Sequence, residues 1–299
     1  MRRSLIVLTF IILLVSACTP LASQSDPKTG SVVLASTTFL ADMARNVAGN
    51  RIQVDSLLPV SADPHGYQPT PSDVAKISKS TVLIVNGLGY EQFLNTLLEN
   101  AGGKRDVVEA TAGISPRKNA GLEHGVDPHM WLDPNNVITY VENIREAFIH
   151  ADPDGAAIYK ANADAYVVQL KALDAWIVEQ VNQIPAERRL LVTNHEALGY
   201  FADRYGFTVI GAVVPGFSTD AAPSAQQMAG LIDLIKSSGA PAIFLGKVEN
   251  DTLAAQIANE TNAKVVSDLY LESLTEGAPA ATYIDMMKHN VTRIVEALK

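Results

Sequence analysis

Short apolar runs alternate with amphipathic stretches along most of this chain. Ser31–Ala35 (SVVLA) reads as a strand and Phe39–Val47 as a helix. Ile52–Leu58 reads as a strand that runs into a Pro/Gly-rich loop, and Ser72 can cap the helix expected after it. Val82–Val85 fits a buried strand, Glu91–Asn100 a helix and Asp106–Val108 a short strand. Such alternation predicts parallel βαβ units.

The middle of the chain follows a different rhythm. Asp152-Pro153 offers a helix cap followed by proline at the first helical position, and Pro185 is a stop. Between them one helical pattern continues to about Gln183, with apolar residues at Ile158, Ala161, Ala165, Val168, Leu173, Trp176, Ile177 and Val181. About 30 residues at 1.5 Å each make a rod of roughly 45 Å, long enough to cross between two lobes. Beyond it the alternation resumes, with strands at Leu190–Thr193, Thr208–Ala212, Ala242–Leu245 and Lys264–Val266 and a final helix at Tyr283–Leu298. The expected fold class is therefore α/β: two βα-alternating lobes with mainly parallel sheets, bridged by one long backbone helix. The first lobe is expected at 31–151, the linking helix at 152–184 and the second lobe at 185–299.

The N-terminus changes the picture by adding a location. Arg2 and Arg3 precede an apolar run, Leu5–Val15. At about eleven residues it has the length of a signal-peptide core and is too short for a membrane span. Val15-Ser16-Ala17-Cys18 then looks like a bacterial lipobox, in which the cysteine is lipidated and heads the mature chain. Cys18 is the sole cysteine, so no disulfide framework is possible. Residues 1–17 are expected as a signal peptide and 18–30, small, polar and Pro/Gly-punctuated, as a flexible tether. The expected location is extracytoplasmic, anchored to the cell membrane by lipid.

Composition narrows the function. Apolar residues make up 47% of the chain, enough to fill two cores. A formal charge of -9 excludes a nucleic-acid partner and suits a protein that handles cations. Three of the six histidines fall just after expected strands, where open α/β sheets bind ligands. His65 lies in a stiff loop with Pro64, Pro69 and Pro71; His129 follows Asp127-Pro128; His195 ends a strand. Asp268 also sits just past a strand. Three imidazoles and one carboxylate suit a borderline-soft divalent ion such as zinc. Spread over some 200 residues, they cannot be joined into a site by spacing alone.

The motifs Asp63-Pro64-His65-x-Tyr67-x-Pro69-Thr70-Pro71-Ser72-Asp73, Asp127-Pro128-His129-x-Trp131-Leu132-Asp133-Pro134 and Asn194-His195-Glu196-Ala197-x-Gly199-Tyr200-Phe201 resemble those of the zinc/manganese-binding solute-binding lipoproteins of ABC transporters. The resemblance spans residues 31–299. It implies a metal buried between lobes, with His65 and His129 from the first and His195 and Asp268 from the second. It also implies capture of Zn2+, with Mn2+ and Fe2+ as alternatives, by a monomer that delivers the ion to an ABC transporter permease. Manganese-type relatives place glutamate where His195 stands, and a third nitrogen ligand favours zinc.

Three features depart from the pattern. Gln68 stands where many relatives carry a glutamate. The 117–126 segment holds only Glu123 and His124 where zinc-uptake relatives often insert a His-rich stretch. A glutamate common near Gly246 is absent, and Glu249 stands three residues further on. Two other functions use the same residues. A zinc hydrolase would need an open water position and a base, for which Glu196 is the sequence neighbour; a surface adhesin would use the fold without transport. Trp131 reads as packing, Asp133 as a ligand orienter or a cap for a helix near Asn135, and His150 and His289 as helix-surface residues.

Overall fold

The computed structural model describes residues 32–117, 125–220 and 222–299. The signal segment, Cys18, the tether and His124 lie outside the described residues. In the first lobe the strands are β1 (Val33–Ala35), β2 (Val54–Ser56), β3 (Val82–Val85) and β4 (Asp106–Glu109), and the helices between them are α1 (Thr38–Ala48), α2 (Pro71–Lys79) and α3 (Leu94–Ala101). Two long helices follow, α4 (Pro134–Ala151) and α5 (Ala156–Val181). The second lobe carries β5 (Leu190–Thr193), α6 (Gly199–Tyr205), β6 (Thr208–Ala212), α7 (Ala225–Ser238), β7 (Ala242–Gly246), α8 (Thr252–Thr261), β8 (Lys264–Leu269) and α9 (Tyr283–Leu298).

Each lobe is a four-stranded sheet, ordered β2-β1-β3-β4 and β6-β5-β7-β8. Every pairing is parallel, as the βα alternation requires. The inner strands are apolar without alternation because both faces are covered. In β3, Val82 and Ile84 pack with α1 and α4, while Leu83 and Val85 pack with Ile77 of α2 and Leu94 and Leu97 of α3. In the second lobe Phe244 faces the common core, and Ile243 and Leu245 face Leu231, Ile235 and Ile257 on α7 and α8. Each such side chain removed from water contributes roughly 1.5–3 kcal/mol.

The long helix differs in detail from its sequence reading. Asp152 does not start it directly. Its carboxylate accepts bonds from Arg51 Nη2 (3.0 Å) and the Tyr159 hydroxyl (2.7 Å), and Pro153–Gly155 form a 3-10 turn before α5. The buried stripe is Tyr159, Ala163, Tyr166, Leu170, Leu173, Ile177 and Val181, packed on α1, α4 and α9. Ile158 and Val168, expected inside, are exposed, Val168 by 67%. Tyr159 and Tyr166, one and two positions away from them, offer larger apolar surfaces, and only one stripe of a surface helix can face the core. α4 is capped by Asp133, whose side chain accepts the Asn135 N–H.

Candidate metal centre

The lobes meet at the C-terminal ends of their strands, and four segments deliver side chains there. His65 comes from the loop after β2, and its backbone N–H donates to Asp63 Oδ1 (2.9 Å), fixing the turn. His129 precedes a 3-10 turn, Met130–Leu132, and its loop is pinned by Asn86, which donates to Pro128 O (3.0 Å) and accepts from the Tyr140 hydroxyl (2.6 Å). His195 leaves β5, where Thr193 Oγ1 donates to the His195 carbonyl (2.6 Å). The fourth segment follows β8 and supplies Glu272.

His65, His129, His195 and Glu272 each turn one ligand-type atom to a common point, all within 4.8 Å of one another. Glu272 Oε1 lies 3.9, 3.4 and 3.3 Å from the Nε2 atoms of His65, His129 and His195. The two latter Nε2 atoms are 3.2 Å apart. All four side chains are almost fully buried. Neither His65 Nε2 nor Glu272 Oε1 has a hydrogen-bond partner. A carboxylate facing three imidazole nitrogens at such spacing could hold a metal ion in a closed, four-ligand site.

The structure thus brings three of the four expected residues together; Asp268 lies apart from them, and Glu272 stands in the fourth place of the cluster. Asp268 ends up on the α9 side of β8, where its carboxylate pairs with Arg293 (2.9 Å), and its side chain is 39% exposed. The chain then continues past the strand and turns back, so the carboxylate four residues on reaches the seam. Glu272 went unrecognised because it does not directly follow the strand. A signal did exist: it is an acid flanked by Tyr270, Leu271 and Leu274, a buried setting that a solvated carboxylate avoids. Its segment is stitched to the first lobe. Trp131 Nε1 donates to Leu271 O (2.9 Å), Ser61 N to Ser273 Oγ (2.9 Å), and Leu274 N to Thr38 Oγ1 (2.8 Å).

Two imidazoles are backed by carboxylates: Asp127 Oδ1 lies 2.9 Å from His129 Nδ1, and Glu249 Oε1 2.8 Å from His195 Nδ1. Such partners fix the tautomer that turns Nε2 inward and raise ligand basicity. Burial alone would depress His195, yet the Glu249 and Glu272 carboxylates beside it carry it up to about 10. His129 is likewise raised against burial, by Asp127 and Glu272. His65 falls to about 4, chiefly by burial, with Glu272 opposing and the other two imidazoles adding to the fall. Burial pushes Glu272 upward, but the imidazoles hold it well below the usual carboxylate range.

The remaining sequence candidates find other work. Gln68 is exposed, on the rim of a surface groove beside His65. Glu196 accepts the Gly216 N–H (3.3 Å). Trp131 is fully buried and stacks on Phe39 with centroids 4.5 Å apart. His150 is exposed at the end of α4, and His289 Nε2 donates to the Asp268 carbonyl oxygen (2.8 Å). Gly199 is required by close approach, since a Cβ there would meet the Arg117 guanidinium and Asp127 Oδ2 at 2.4–2.8 Å.

Known proteins match both sequence and fold. The family model described as zinc-uptake complex component A, periplasmic, matches residues 33–297. The manganese-binding lipoprotein MntA of Halalkalibacterium halodurans is 39% identical over 92% of this chain and 90% of its own length. A manganese ABC transporter substrate-binding lipoprotein of Streptococcus gordonii, scaA, is 31% identical over 99% and 98%. The periplasmic zinc-binding protein TroA of Treponema pallidum superposes with a TM-score of 0.83 at 29% identity, covering 90% of this chain and 99% of that one. The chain is a solute-binding receptor and not an enzyme, and it belongs to the family of zinc-uptake complex component A.

Proposed function

We infer that this protein is the extracytoplasmic receptor of an ABC importer, which captures a divalent transition metal between its lobes and delivers it to the permease. One observation carries the reading: three Nε2 atoms and Glu272 Oε1 converge, buried, at the seam. His65, His129, His195 and Glu272 are the proposed ligands, with the metal as cargo. Relatives named for manganese and zinc support the solute class. Three nitrogen donors and one carboxylate suit Zn2+ best, and affinity order also places zinc above manganese, so Zn2+ is the ion expected to bind most tightly, with Mn2+ and Fe2+ as alternatives.

Anchoring through a lipidated Cys18 is part of the same proposal, supported by the lipobox and by relatives named as lipoproteins. Among the described residues no helix is long and apolar enough to cross a membrane. A monomer suffices, since one chain supplies all four proposed ligands. No observation favours the adhesin or hydrolase readings. Release has to loosen the seam, where Thr219 Oγ1 bonds Asp63 Oδ2 (2.7 Å) and Arg117 pairs with Asp203 (2.9 Å). A stiff α5 limits this to local shifts.

The test is metal analysis of the soluble chain from residue 19 onward, with competition among zinc, manganese and iron. Stoichiometric metal in the wild type and its loss in His195→Ala are expected; a wild-type chain that binds no metal tightly would sink the proposal.

A further inference from the structure

Glu249 is not among the four converging residues, yet the loop after β7 is built around it. Its side chain is fully buried. Oε1 faces His195 Nδ1 at 2.8 Å, and Oε2 accepts the Gly246 N–H. The Glu249 N–H in turn donates to Gly246 O (3.1 Å), and Lys247 N donates to Leu269 O (2.7 Å), so the loop is held at both ends. Gly246 leaves the space: a Cβ there would meet the Glu249 carboxylate at 3.0–3.2 Å.

This arrangement gives His195 a particular character. The buried Glu249 carboxylate at 2.8 Å from Nδ1 places its charge on that side of the ring, although neither atom meets hydrogen-bond geometry, and Nε2 faces Glu272 Oε1 (3.3 Å). An imidazole held against a buried carboxylate is more basic and feels its negative charge. Bonding to a hard ion such as Mn2+ depends more on ligand charge than bonding to Zn2+, which draws well on neutral nitrogens. We propose that Glu249 is a positioning residue that makes His195 an anionic-type donor and so keeps Mn2+ within reach of a site whose three nitrogens would otherwise select zinc. The inference rests on the metal-receptor reading above.

The experiment compares Zn2+ and Mn2+ affinities of the wild type, Glu249→Gln and Gly246→Ala by competition against a chelating indicator. Glu249→Gln is expected to lose roughly ten- to a hundredfold in Mn2+ affinity and only about threefold for Zn2+. Gly246→Ala, which keeps the carboxylate but crowds it, is expected to shift the ratio the same way by less. Metal-free melting temperatures control for folding, and Gly246→Ala carries the test if the glutamine variant does not fold. Equal losses for both ions, or an unchanged Mn2+ affinity, would overturn the inference while leaving the receptor reading intact. A wild type that binds neither ion would overturn both.

Discussion

The Tyr90 hydroxyl donates to Glu272 Oε2, tying a carboxylate that follows the last strand of the second lobe to a tyrosine in the loop after β3 of the first. Tyr90 is buried, and it packs edge-on against His65 with centroids 5.3 Å apart. The bond leaves Oε1 as the oxygen that faces the imidazoles. Tyr90→Phe should keep the ring packing and the fold but lower metal affinity by about tenfold, the scale of losing a support to a ligand. Indicator competition measures it, and an unchanged affinity would show that Glu272 needs no such support.

The exchange of Asp268 for Glu272 as fourth donor is open to a paired test. Glu272→Gln should weaken metal binding by a hundredfold or about that, since it removes the one charged donor. Asp268→Asn should leave affinity within about twofold and cost no more than about 1 kcal/mol, because it breaks an ion pair that is well exposed. The reverse pattern would restore Asp268 to the site.

Metal must displace protons here. His195 is held at about 10, so in the metal-free protein it is charged at pH 7, whereas His65, at about 4, is already neutral. Binding at pH 7 should therefore release at least one proton, and affinity should fall by roughly tenfold per pH unit per proton as pH drops from neutrality. Titration calorimetry in buffers of different ionisation enthalpy reads the release directly. A binding enthalpy independent of buffer would contradict it.

Asp42 on α1 bears on stability. Burial raises its carboxyl from 3.8 to about 6, against the Tyr283 N–H that donates to it at 2.9 Å. The folded state thus binds a proton more tightly than the unfolded one. Its contribution is fully present below about pH 4 and is lost as pH rises through 6. Asp42→Asn keeps an acceptor for Tyr283 without the charge, so its stability relative to wild type should climb between pH 4.5 and 7. Urea unfolding of the metal-free proteins at both pH values checks the sign.

The orientation of the linking helix makes a fifth test. Leu170→Ala, on the buried stripe, should cost roughly 2–5 kcal/mol. Val168→Ser, two residues earlier on the exposed side, should stay within about 0.5 kcal/mol. Equal costs would mean that α5 has a second covered face.

Much of this protein was legible in one dimension because its signals are local. Apolar runs such as Val82–Val85, buried on both faces, report a parallel sheet, and the caps and prolines around them mark where helices start. The three histidines stand in loops after strands, and the chain's own topology carries those loops to one edge. Motif resemblance then supplied the solute class. The face of α5 was less legible, because Ile158 and Tyr159, or Val167 and Val168, are equally apolar by type, and only the neighbours α1, α4 and α9 choose between them.

What the sequence alone determined was the fold class, the long connecting helix and the identity of three imidazoles. What only the tertiary structure decided was which acids meet them. Asp268 and Glu272 differ by four positions in a segment without regular pattern, and the turn that sends one to Arg293 and the other to Tyr90 is set by bonds to Thr38, Ser61 and Trp131, far away in sequence. Glu249 was visible but unplaced for the same reason. A carboxylate's role depends on what lies within about 3 Å of it, and such distances are fixed by contacts between lobes and loops rather than by any periodicity along the chain.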